Sequence, residues 1–249
     1  MLKISKLTTE LISFDLWETL ISNKEDLKTQ RLRGSNRNKN LYNFFKKEKL
    51  NISSLRIKKS LSILSKRCSQ DHNRGKDLSF QKRMISFLKI LGIKERDFII
   101  ALKVGAILDK SFLKYPPKLL PNAFNILKSL SKEYKLCLTS NTGITSPETY
   151  LKYLESLKIK NFFDKIYFSN QLEVAKPSIE MFNLILKDFN VEPQKVIHIG
   201  DNVFTDMFGA KKAGLKSILI NKRKSVTYGF KIIPDNTIAD ISELSRLKI

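Results

Sequence analysis

With 249 residues, 42% of them hydrophobic, the chain has enough apolar material for one large domain or a main domain carrying an insertion, which excludes a minimal disulfide-stapled scaffold. The two cysteines, Cys68 and Cys137, sit in apolar periodic runs, so neither a disulfide framework nor a thiolate zinc site is expected and a reducing compartment is. The formal charge of +22 would suit a nucleic-acid or anionic-membrane surface, but 36 of the 46 basic residues are Lys, alongside 17 Asn, 27 Ile and 7 Ala, a skew that an AT-rich coding bias also produces.

No run approaches the ~18 apolar residues of a membrane span, and residues 1–10 lack the apolar core of a signal peptide, so a cytoplasmic protein without membrane partners is expected. Charge is uneven along the chain. Residues 21–115 carry a net +16 and the remaining 154 residues +6.

In chain order, residues 10–16 (ELISFDL) read as a strand. From residue 36 to 115 apolar side chains recur at helical spacing: Leu41, Phe44 and Phe45; Leu55, Leu61 and Leu64; Met84, Phe87, Leu88 and Leu91; Ile99, Leu102, Ala106 and Leu113. Four helices are expected, with breaks at residues 51–53, 71–77 and 92–94 and a boundary at Pro116 and Pro117. Beyond it, helices are expected at 121–133, 147–157, 178–189 and 205–213, alternating with strands at 135–139, 165–169, 195–200 and 216–220. Strands separated by single helices pair in parallel with right-handed crossovers, so the expected fold is a doubly wound parallel α/β sheet with an inserted helical segment. Chemistry in such sheets gathers at the carboxyl ends of the strands.

Those ends carry FDLWETL (residues 14–20), LTSN (138–141), AKP (175–177) and IGDNVFTDMFGAKKAGLKS (199–217). In this order and spacing, the four segments resemble the motifs of the haloacid dehalogenase-like (HAD) hydrolase superfamily. The resemblance implies a core at residues 1–20 and 116–249 and a helical cap at 21–115. It further implies Asp15 as nucleophile, Ser140, Asn141 and Lys176 as phosphoryl-binding residues with Ser140 and Lys176 assisting catalysis, and Mg²⁺ held by Asp15, the Trp17 carbonyl and Asp201. Asp206 is expected nearby, steadying Asn202 or a metal-bound water. The chemistry is coherent: a carboxylate attacks phosphorus only where cations offset the repulsion, Asp oxygens suit Mg²⁺, and Lys176 supplies a point charge.

One position departs from the pattern. Phosphatases of this superfamily usually read Asp-x-Asp, the second Asp protonating the leaving oxygen and then activating water; here Trp17 stands there, and indole does neither. Glu18 is adjacent, but strand alternation directs it away from Asp15 unless the chain turns sharply. Three readings follow: a phosphatase for leaving groups that need no proton, a 2-haloacid dehalogenase, or a catalytically weak or inactive protein that binds a phosphorylated ligand or a partner. Dehalogenases of this superfamily dispense with the metal, and Asp201 without Mg²⁺ would repel a carboxylate substrate, so the first reading is preferred.

Plainer readings apply elsewhere. His198 fits a hydrogen-bonded interior histidine, and His72 beside Cys68 and Asp71 is weak as a metal site. Phe44, Phe45, Phe80, Phe87 and Phe98 fit helix packing. The basic segment leaves nucleic-acid contact open, although no aromatic platform accompanies it, and a small phosphorylated substrate fits better. Substrate identity and oligomeric state have no signature in the sequence.

Overall fold

A six-stranded parallel sheet lies at the centre of the computed structural model, which describes residues 8–93, 98–221 and 232–246. Residues 1–7 and Lys94, which enter the leader and third-break expectations, lie outside the described residues. The elements run β1 (Leu11–Phe14), β2 (Ile21–Ser22), α1 (Leu27–Lys47), α2 (Ser54–Asn73), α3 (Phe80–Ile90), α4 (Phe98–Lys114), β3 (Lys118–Leu119) and α5 (Ala123–Leu130). They continue through β4 (Lys135–Ser140), α6 (Pro147–Ser156), β5 (Lys165–Phe168), α7 (Ser169–Leu172), α8 (Ile179–Phe189), β6 (Val196–Gly200), α9 (Gly209–Lys212), β7 (Lys216–Ile220) and β8 (Asn236–Ile238).

The sheet order is β5-β4-β1-β6-β7-β8, so β1 lies between β4 and β6 and their carboxyl ends adjoin. Period-two alternation sorts the two faces. Ile12, Phe14, Leu136, Leu138, Ile197 and Ile199 pack on one side with residues of α5 and α6, while Leu11, Cys137, Val196 and the inner residues of α8 and α9 fill the other. Being covered on both faces explains why these strands are nearly continuous apolar runs.

Between β2 and β3 the chain forms the four expected helices, which enclose a separate apolar cluster that includes Leu41, Phe45, Ile57, Leu64, Met84, Phe87 and Leu108. Side-chain caps start three of them: Asp26 accepts from Thr29 N at 3.0 Å, and Ser53 and Ser79 accept from Arg56 N and Lys82 N.

The helical stripe differs in detail from the expectation. Leu55, Ile99, Leu102 and Leu113 are exposed, because the buried faces of α2 and α4 run instead through Ile57, Leu64 and Cys68 and through Ile100, Ala101, Val104 and Leu108. Helix α1 also begins at Leu27, well before residue 36. Strands β2 and β3, an antiparallel pair outside the main sheet, and edge strand β8 are too short to show periodicity and were not expected. The stretch expected as one helix over residues 205–213 divides into a wide helical turn, Val203–Phe208, followed by α9.

Candidate active site

Strand β1 ends at Phe14, and the next residue, Asp15, is 6% exposed at the sheet's carboxyl edge. Its neighbours arrive from β4, β6 and the loop before α8. Lys176 Nζ lies 2.7 Å from Asp15 Oδ1 and 2.6 Å from Asp206 Oδ1, and all three side chains are buried. Asn141, just past β4, fixes the lysine backbone by accepting from Lys176 N at 2.9 Å while its side-chain amide donates to Lys176 O at 2.8 Å. Ser140 is fully buried at the end of β4, with its hydroxyl turned toward the Asn141 carbonyl at 3.3 Å.

Asp206 reaches this position because β6 ends in Gly200. A Cβ there would lie 2.4 Å from Asp206 Cγ, so the carboxylate occupies the space any other side chain would fill. Asp206 Oδ2 accepts from Asn202 N at 3.0 Å, and its Oδ1 lies 3.1 Å from His198 Nε2. His198 in turn meets Ser13 Oγ at 2.9 Å, and Ser13 meets Thr139 Oγ1 at 2.9 Å, a polar ladder across three adjacent strands. Strand alternation explains it: Ser13, Thr139, His198 and Gly200 point to the same face. His198 is thus the interior histidine expected, and it also steadies Asp206.

Electrostatics follow from this packing. Burial, with the charge of Asp206, raises the Asp15 carboxyl to about 6 against the opposing pull of Lys176. Burial and the neighbouring Asp15 and Asp206 raise Asp201 to about 8. Burial would raise Asp206 too, but Lys176 and His198 hold it well below the usual carboxylate range. Burial opposes the Lys176 charge, yet the two carboxylates keep its ammonium above its ordinary pKa. Asp15, Asp201 and Asp206 each offer an oxygen within 4.8 Å of the others, the sole such acidic, His or Cys cluster among the described residues. His72 is not part of one; its Nε2 contacts Asp77 Oδ2 at 3.0 Å.

A family model described as haloacid dehalogenase-like hydrolase matches residues 12–220. The chain belongs to the haloacid dehalogenase-like hydrolase family. Over 129 residues it is 30% identical to a glyceraldehyde 3-phosphate phosphatase of Pyrococcus furiosus, covering 50% of this chain and 52% of that protein, so the match spans about half of the relative. Magnesium-bound YfnB from Bacillus subtilis shares the fold (TM-score 0.62, 20% identity, 96% of this chain and 98% of that one). So does a 2-haloacid dehalogenase from Pseudomonas syringae (TM-score 0.69, 16% identity, 96% and 97%).

Within this HAD-like site Trp17 is held by packing. Its indole N–H donates to Tyr150 Oη at 3.2 Å, and the ring meets Phe112 and Tyr150 edge-on at centroid distances of 6.5 and 6.4 Å. The chain does turn sharply at Glu18, whose φ is 58°, but the Glu18 carboxylate accepts from Ser22 Oγ at 2.8 Å and pairs with Lys24 at 3.3 Å. Glu18 and Asp201 border the same 480 Å³ cavity.

A further set of residues near the site escaped the sequence reading. Thr142 N donates to Ser169 Oγ at 2.8 Å, and Ser169 Oγ donates to Asp77 Oδ2 at 2.6 Å; Asp77 also pairs with the buried Arg83 of α3, whose guanidinium meets Cys68 Sγ. This chain of contacts ties the helices to the loop after β4. An isolated Asp in a polar loop carries no signal of it.

Proposed function

We propose that this chain is a Mg²⁺-dependent phosphatase in which Asp15 takes the phosphoryl group from a small phosphorylated compound as an aspartyl-phosphate that water then hydrolyses. The observation that carries the reading is Lys176, whose buried ammonium touches both Asp15 and Asp206 beside Ser140 and Asn141. An attacking carboxylate and an incoming phosphoryl group are both anionic, so a fixed cation between them lowers the repulsion. The P. furiosus relative bears the name of a phosphatase, which supports the same reaction class.

The donor set fits a hard divalent cation. Three carboxylates face one ammonium, and Asp201 has no hydrogen-bond donor among the described residues. Asp15, Asp201 and the Trp17 carbonyl would hold Mg²⁺, while Asp206, whose oxygens are engaged by Lys176, His198 and the Asn202 amide, would add charge and fix the loop. Bound there, the metal would supply further positive charge for the transferring phosphoryl group.

The residues then divide the work. Asp15 attacks phosphorus, the P–O bond to the leaving group breaks, and that oxygen departs with the electron pair. Ser140 turns its hydroxyl to donate to a phosphoryl oxygen, Asn141 holds Lys176 in place, and Lys176 neutralises charge. Nothing at position 17 delivers a proton, which favours acyl or aryl phosphates over alkyl ones. In this reading residues 21–115 are a cap that closes over the core at 1–20 and 116–249, and the two free buried cysteines suit the cytoplasm.

Trp17 also supports a second reading, a protein that retains the phosphate pocket but turns over slowly or not at all. A hydrolysis screen of acyl, aryl and sugar phosphates with and without Mg²⁺, with Asp15→Asn as control, separates the two. Calorimetric titration of Mg²⁺ into wild type and Asp201→Ala checks the metal independently of turnover. The phosphatase reading expects Mg²⁺-dependent hydrolysis lost in Asp15→Asn and Mg²⁺ binding lost in Asp201→Ala; equal metal affinity in both proteins would contradict it.

A further inference from the structure

Trp17 borders a cleft of 220 Å³, and a second of 420 Å³ adjoins it, both bounded by Arg33, Arg37, Gly143 and Ile144. Their walls come from α1 on one side and from the loop that follows Ser140 and Asn141 on the other. Arg33 and Arg37 are four residues apart on α1 and so share a helix face.

Arg33 is 4% exposed, donates to the carbonyl of Tyr115 at 2.8 Å and to the Asn23 side chain, and lies 5.7 Å from the centre of the Phe112 ring. All of these partners are neutral. Arg37 Nε is buried and has no hydrogen-bond partner. No ion pair among the described residues joins either guanidinium to a carboxylate; Asp109 acts on Arg37 only at longer range. Burial and the adjacent Arg33 charge lower Arg37 to about 10. Guanidinium groups stay charged in proteins, and a buried one, Arg33, and a half-buried one, Arg37, side by side repel each other in a way that an anion between them would offset.

We infer that this cleft receives the leaving-group end of the substrate and that Arg33 and Arg37 bind a second anionic group on it, a carboxylate or a further phosphate. The inference rests on the phosphatase reading for the orientation of the substrate: with phosphorus at Asp15, the rest of the molecule extends past Trp17 into the cleft. Trp17 then has a positive role as an apolar wall, with Phe112 and Tyr150, along the stem between the two anionic ends. Arg33 is held by protein acceptors on two of its nitrogens and so is pre-oriented, while Arg37, half-buried and with no guanidinium hydrogen bond among the described residues, is the side chain with donors to give. The binding energy supplied by the remote anion is available to position the phosphoryl group.

The test uses three non-hydrolysable phosphonates titrated calorimetrically into the full chain with Mg²⁺ present: benzylphosphonate, 4-carboxybenzylphosphonate and p-xylylenebisphosphonate. Charge-assisted contacts to a second anion predict that at least one of the two doubly anionic ligands binds about tenfold or more tightly than benzylphosphonate, and which one does so distinguishes carboxylate from phosphate. That preference should fall towards unity in Arg37→Met and be partly kept in Arg37→Lys. Equal affinities for the three ligands, no binding of any, or a preference that survives Arg37→Met would each overturn the proposal. Because Arg33→Met risks misfolding, the comparison among ligands in wild type stands without it. Turnover of 4-nitrophenyl phosphate, measured alongside, keeps the two ideas separate: hydrolysis with no anion preference removes the cleft proposal and leaves the phosphatase reading, whereas preference with no hydrolysis does the reverse.

Discussion

Lys176 and Asp15, 161 residues apart in sequence, are joined by a 2.7 Å hydrogen bond where the first strand of the sheet ends. The same ammonium reaches Asp206 at 2.6 Å, so one buried cation holds two buried carboxylates. Replacing it by an apolar side chain of similar length leaves the carboxylates unpaired. Lys176→Met should lose about 3–5 kcal/mol of stability in urea unfolding at neutral pH without added metal. Its hydrolytic rate should fall at least ~10²-fold. A variant as stable as wild type would mean that the lysine does not compensate these charges.

Gly200 offers a sharper geometric test. Its missing Cβ leaves room for Asp206, and Gly200→Ala would set a methyl 2.4 Å from Asp206 Cγ. The carboxylate has no slack, since His198, Lys176 and Asn202 N all grip it. We expect a loss of about 1–3 kcal/mol, as for overpacking in a dense core, and weaker Mg²⁺ binding by calorimetry. Unchanged metal affinity would show that Asp206 can move without consequence.

Asp77 should matter for stability although it lies outside the acidic cluster. Asp77→Ala leaves Arg83 buried without its carboxylate and removes the acceptor of Ser169, and should cost about 3–5 kcal/mol. The double variant Asp77→Ala/Arg83→Met should recover much of that loss, because the uncompensated charge is then gone. Chemical unfolding of the two single variants and the double variant measures the coupling; strict additivity would contradict it.

How much of this was readable in the sequence depends on the range of the interactions involved. Asp15, Lys176, Asp201 and Asp206 lie in motifs at strand ends, where alternation of strands and helices already brings carboxyl ends to one edge. The four helices and the parallel sheet were legible for the same reason: each carries enough periodic apolar residues. By contrast, β2 and β3 have two residues each, too few for a pattern, and Leu55 and Ile99 read as core only because the angular position of a helix face is set by its neighbours. Asp77, Ser169 and Arg83 meet across 92 and 6 residues of sequence through single hydrogen bonds, and nothing local marks them. His198 was legible as interior from alternation, but its grip on Asp206 was not.

On the proposed mechanism, Trp17 sets the leaving-group dependence. Without a side-chain acid, negative charge on the departing oxygen goes uncompensated, so log kcat/KM should fall steeply as leaving-group pKa rises, with acyl and nitrophenyl phosphates turned over and alkyl phosphates poor. Trp17→Asp should raise alkyl phosphate hydrolysis by about 10²-fold. It should also lose about 3 kcal/mol of stability, because the ring leaves a hole between Phe112 and Tyr150. A shallow dependence in wild type would show that Glu18, another residue or the substrate supplies the proton.

On the proposed mechanism, the lack of a base at position 17 has a second effect: water would attack the aspartyl-phosphate unaided, so the intermediate should accumulate. The most direct measurement is rapid mixing of the Mg²⁺-loaded chain with 4-nitrophenyl phosphate, following nitrophenol release and then acid-quenching for mass spectrometry of the peptide containing Asp15. The account predicts a burst approaching one nitrophenol per chain and a phosphoryl group on Asp15, both absent in Asp15→Asn. Steady hydrolysis that persists in Asp15→Asn, with Asp15 never modified, would contradict it.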